Sequence, residues 1–144
     1  MSACYRRGVN PRPTALPLGL AFALLDARER DLQEAVLRGA PPLGPGAPPE
    51  ERARAFLAAV ATFALDHAEL LAAVPRGRGT RFEHPVHAWR HAHLRAQLAA
   101  ARPDADADGI ASALLAALGA EHLLHLHGRG FDRARIERLA RDLV

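Results

Sequence analysis

Seven of the eight histidines, His84, His87, His91, His93, His122, His125 and His127, fall in two short stretches of the chain. Imidazole binds zinc and exchanges a proton near neutral pH, so such clustering is where chemistry is sought first. On a helix His87 and His91 stand at i and i+4, and His122 and His125 at i and i+3, spacings that let each pair grip one ion. No carboxylate or thiol completes an obvious ligand set, and no HExxH pattern places a general base between two ligands. These histidines therefore read as packed or surface residues, and no metal site is expected.

The stretch RPDADADGIASALL, residues 102–115, imitates a calcium loop. Asp104, Asp106, Asp108 and Gly109 fit its first half, but the position that needs a bidentate glutamate is Leu115. The aspartates instead suit a helix start, where free backbone N–H groups and the helix dipole favour acids. The other catalytic signatures are missing as well. There is no nucleophile elbow and no carboxylate pair, and the GRG triplets at 77–79 and 128–130 are too short to cradle phosphate. No catalytic residue, cofactor or enzymatic activity is expected.

The elements that carry these residues read as helices. Alanine abounds, β-branched residues are scarce, and Trp89 and Tyr5 are the single tryptophan and tyrosine, a balance that favours an all-α fold. At 144 residues the chain suits one domain with one core. Residues 1–17 carry Gly8, Pro11, Pro13 and Pro17 and read as an irregular segment. Residues 18–144 read as the helical domain.

A first helix is expected over 18–38, ended by the tract GAPPLGPGAPP, a spacer whose prolines remove donors and fix φ. A second runs from Pro48 and Pro49 to about Val74, with Phe56, Val60, Phe63, His67, Leu70 or Leu71 and Val74 in one stripe. The segment PRGRGTRFEHP, with Arg76, Arg78 and Arg81, reads as a loop. A third helix follows over about 85–101 with Val86, Trp89, Leu94 and Leu98 inward, and Pro103 marks its end.

A fourth helix is expected from the aspartates to about His127, carrying Ile110, Leu114, Leu115, Leu118, Leu123, Leu124 and Leu126. These spread over more than one face, which predicts burial on two sides. Gly128 ends it. Asp132 caps a fifth helix with Ile136, Leu139, Ala140 and Leu143 on one face, and Phe131 is placed to staple onto Ile136. A partner copy covering the last two helices makes an intermolecular four-helix bundle, so a homodimer is expected.

All 19 basic residues are arginine, the formal charge is +3 and the pI is near 10.3. The arginines alternate with acids, as on solvated helix faces, rather than forming a nucleic-acid patch. Cys4 stands alone, so no disulfide framework exists and the cytoplasm is the expected compartment. The basic and then apolar start imitates a signal peptide, but the stripe Leu18, Ala21, Leu25, Leu32 and Val36 continues past any cleavage point. No apolar run is long enough to span a bilayer, and no membrane partner is expected.

Three stretches, LLDARERDLQEAVLRGAPPLGPGAPPEERARAFLAAV, HAWRHAHLRAQLAAARPDADADGIASALLAAL and RGFDRARIERLARDLV, resemble the C-terminal ligand-sensing and dimerisation domain of TetR-family transcriptional regulators. The resemblance runs from about Leu24 onward. It implies a five-helix domain whose first helix relays ligand occupancy, whose first four surround an inducer pocket, and whose last two build the dimer.

On that pattern a small hydrophobic ligand is expected against Phe56, Val60, Phe63, His67, Trp89, His93, Leu118 and His122. The dimer contact is expected at Ile110, Leu114, Leu118, His125, Ile136, Leu139 and Leu143. The family's helix-turn-helix head has no counterpart ahead of Leu18, although GVNP at 8–11 resembles the turn before its recognition helix. DNA is therefore an expected partner only where a complete head is present. The rival reading is a helical metal- or cofactor-binding protein, or a small enzyme, that uses the clustered histidines.

Overall fold

The computed structural model describes residues 17–73 and 81–144. Residues 1–16 of the expected irregular segment, Cys4 among them, the end of the second helix at Val74, and Arg76, Arg78 and the first GRG triplet lie outside the described residues. Seven α-helices are described, with no strand among them: α1 Leu18–Arg38, α2 Pro49–Asp66, α3 Ala68–Ala73, α4 Pro85–Ala101, α5 Ala107–Ala117, α6 Ala120–Gly128 and α7 Arg133–Asp142. A single 3-10 turn, Arg81–Glu83, leads into α4.

α2 is the central helix. It buries Ala53, Phe56, Leu57, Ala58, Val60, Ala61 and Ala64, more than one face of a helix, because α4, α6 and α7 all pack around it. Its alanines matter as much as its large residues, since a short side chain lets a neighbouring helix approach closely. Val36 from α1, Leu94 and Leu98 from α4, Leu115 from α5, Leu123 and Leu126 from α6, and Ile136 and Ala140 from α7 complete one continuous core.

Local chemistry accounts for the helix starts. Asp106 caps α5 by accepting from the Gly109 N–H at 3.0 Å, and Asp132 caps α7 by accepting from the Arg135 N–H at 2.7 Å. The calcium-like aspartates thus sit at a helix N-terminus. His84 caps α4 in the same way, its Nδ1 accepting from Val86 N–H at 3.3 Å. α2 opens with Pro49 in its first turn and Glu50 and Glu51 against the dipole.

Two expected helices are broken. The second ends at Asp66, where His67 leaves helical geometry at φ −115° and ψ 22°, and α3 begins one residue later. The fourth splits into α5 and α6, inclined by 47° about Leu118 and Gly119, because Gly119 is extended at ψ 140°. This bend gives each half its own inward face. It explains the spread of apolar positions along 110–126 without requiring a second buried side. No single helix among the described residues is long and apolar enough to cross a membrane.

The proline-rich tract is ordered and structural. Leu43 packs against the core, Gly44 is buried, and the Gly44 N–H donates to Ala40 O at 3.0 Å. The expected spacer is a folded turn that forms one wall of the cleft described next.

Candidate functional site

The cleft has a volume of about 550 Å³ and opens to solvent, within the usual range for small-molecule sites. Its floor is α2, presenting Ala55, Ala58, Ala59, Thr62, Phe63 and Asp66, with His67 just beyond the helix end. Leu32 of α1 and the turn Ala40, Pro41, Pro42 and Leu43 make one wall, and Arg141 of α7 stands on the other side. Small alanines make the hollow, since no side chain of α2 fills the space between the proline turn and α7.

Polar contacts fix the α7 side. α7 runs antiparallel along α2 in register, one helical turn per contact. Arg133 pairs with Asp66. One turn on, Thr62 Oγ1 donates to Glu137 Oε1 at 3.0 Å, and Arg133 also lies 3.7 Å from Glu137. At the far end, Arg54 donates to the main-chain oxygen of Val144 at 3.2 and 3.1 Å. The intermediate turn carries Arg141, which lines the cleft together with Ala58 and Ala59 of α2. Arg133 donates a hydrogen bond to the Asp66 carboxylate, and the bond together with the carboxylate's negative charge raises the Arg133 pKa above its ordinary value.

Phe63 joins the cleft to the interior. The His67 ring meets it edge-on at 4.7 Å, and the Arg90 guanidinium lies over its face at 4.8 Å. Arg90 in turn grips the buried carboxylate of Glu29.

A second cluster lies between α2 and α4. The Trp89 and His93 rings stack at 5.8 Å, and both touch Phe56. Burial first, and the Arg52 charge second, hold the His93 pKa down at about 4, so the imidazole is neutral at pH 7. His93 Nε2 and Arg52 Nε are both buried without a hydrogen-bond partner among the described residues.

Of the eight residues expected to surround a ligand, the structure brings Phe63 and His67 together at the cleft. Phe56, Val60 and Leu118 are packed into the core. Trp89 and His93 form the separate aromatic cluster, and His122 is exposed. The walls at Leu43 and Arg141 were not foreseen, because they come from a turn without periodicity and from α7, far along the chain from α2.

Of the residues expected at a dimer contact, Leu118 and Ile136 are buried within the chain's own core. Ile110 and Leu114 are half-buried, and His125 is exposed. Leu139 and Leu143, with Leu124, are each 37% exposed.

The clustered histidines scatter. His91 Nε2 lies 3.1 Å from Ser112 Oγ and 3.3 Å from Asp108 O, His127 Nδ1 lies 3.1 Å from Phe131 O, and the His87 and His91 rings are 6.4 Å apart. Among the described residues no group of three histidine, cysteine, aspartate or glutamate side chains is placed to hold a metal ion.

Among the described residues the fold is all-helical, and an open hollow of mixed polar and apolar lining lies beside α1 and α7. Comparison with protein-family models, with curated proteins and with solved structures finds no match.

Proposed function

We propose that this chain is the ligand-sensing, dimerising module of a transcriptional regulator, of the kind its sequence resembles in the TetR family. The observation that carries the reading is the division of α7 into three faces. Ile136 and Ala140 point into the core, Arg133 and Glu137 contact α2 and Arg141 lines the cleft, and Leu139, with Leu143 at the C-cap, is partly exposed. One helix therefore touches both a small-molecule hollow and an unpaired apolar surface, so occupancy of the first can bias the packing of the second.

α1 also borders the cleft, through Leu32. In regulators of this type the helix in that position carries DNA-binding heads, and its displacement changes their spacing on the operator. The module works by population shift, a ligand stabilising one arrangement of α1 and α7 over another.

Two-fold pairing through α6 and α7 covers Leu124, Leu139 and Leu143. The test is sedimentation velocity of the wild-type chain and of Leu139→Glu with Leu143→Glu at matched concentration. The reading expects a dimer that the double substitution converts to a folded monomer.

A further inference from the structure

The antiparallel contact between α2 and α7 repeats every helical turn, and one turn is left open. Asp66 receives Arg133, Thr62 meets Glu137, and Arg54 reaches the main-chain oxygen of Val144. Between the last two lies Arg141, which lines the cleft together with Ala58 and Ala59. Among the described residues Arg141 has no acidic partner within ion-pair distance, unlike Arg133 on the same face of α7. It stands exposed at the edge of a hollow lined by both apolar and polar side chains.

We infer that the cleft binds an amphipathic monocarboxylate, its carboxylate held by Arg141 and its apolar body laid along Leu32, Pro42, Leu43, Ala59 and Phe63. A guanidinium presents a planar fork of donors that matches a carboxylate in a bidentate pair. Among the described cleft residues Arg141 is the guanidinium without an acidic partner, and it balances one negative charge. Asp66 also lines the hollow but is already paired with Arg133, which leaves the single charge of Arg141 for a ligand anion. The alanines and prolines supply the remaining wall without a second charge to satisfy, and a volume of about 550 Å³ accommodates a chain or ring system of modest size.

The inference rests on the ligand-sensing reading above and names the ligand class for it. The probe is octanoate, with octanamide as a neutral molecule of the same shape. Both are titrated into isotopically labelled wild-type chain, followed by amide chemical shifts at Leu43, Ala59, Phe63 and Arg141. Octanoate is expected to shift these amides and to bind about tenfold more tightly than octanamide, the usual scale for a charge-assisted hydrogen bond.

Arg141→Gln is expected to lower octanoate affinity about tenfold and leave octanamide within twofold, and Ala59→Trp to abolish binding of both. Equal affinity for the two probes, indifference of octanoate to Arg141→Gln, or no shift at the cleft at millimolar octanoate would overturn the assignment. Sedimentation of the same samples separates the two proposals. A dimer that ignores octanoate removes only the ligand class, whereas a monomer that binds octanoate removes the regulator reading and keeps the cleft.

Discussion

Arg90 on α4 donates to both carboxylate oxygens of Glu29 on α1, Nε to Oε1 at 3.2 Å and Nη2 to Oε2. Glu29 is the only polar or charged side chain buried among the described residues, at 4% exposure, and its partner also covers the face of Phe63. Three helices, α1, α2 and α4, are tied together at this point. The same contact holds the wall and floor of the cleft in place.

Removing the carboxylate leaves a guanidinium with little access to water. Glu29→Ala is therefore expected to destabilise the chain by roughly 3 kcal/mol or more, the range for breaking one partner of a buried pair. Replacing both groups, Glu29→Leu with Arg90→Leu, is expected to cost much less, on the order of 1 kcal/mol, because no buried charge is orphaned. Urea unfolding followed by circular dichroism measures both, and equal losses in the single and double variants would contradict the coupling.

His93 gives the fold a pH dependence of definite sign. Its pKa in the folded chain is about 4, against 6.5 for the free side chain, so between these values the unfolded chain binds the extra proton. Stability is fully present above about pH 6.5 and declines as pH falls towards 4, because protonation favours the unfolded state. Discounted for the partial solvent access of the ring, the loss is about 2 kcal/mol across that window. His93→Phe is expected to flatten the profile there, and unfolding free energies at pH 7 and pH 4.5 for both proteins test it.

Gly44 allows the proline turn to close on itself. A Cβ built there would lie 1.8 Å from Gly39 O, with backbone rather than a flexible side chain as the obstacle. Gly44→Ala must therefore push the turn outward, at an expected cost of about 1 to 3 kcal/mol, and it displaces Leu43 from the core and the cleft wall. A thermal midpoint unchanged by the substitution would show that the turn has another way to close.

Local signals in the sequence located most of the fold. Gly39 after Arg38, Pro85 before Val86 and Asp132 before Arg133 mark helix ends that depend only on neighbouring backbone groups, and all three stand in the structure. The breaks at His67 and Gly119 were hidden for a physical reason. The apolar spacing continues across each, and His67 N–H still donates to Phe63 O at 3.1 Å while Leu71 N–H donates to His67 O at 2.9 Å, so periodicity registers no interruption. Phe63 and His67 could be grouped from the sequence because the expected second helix puts them in one stripe, and both line the cleft. Leu43 and Arg141 were not, since their place in the cleft follows from tertiary packing of a proline turn and of α7 against the alanines of α2.

The central claim is that α7 serves a ligand cleft on one side and a copy of the chain on the other. Sedimentation equilibrium of the wild-type chain from about 1 to 100 µM tests it most directly. The account predicts a dimer over that range, converted by Leu139→Glu with Leu143→Glu into a monomer with unchanged helix content. A wild-type chain that stays monomeric and fully folded throughout would contradict it.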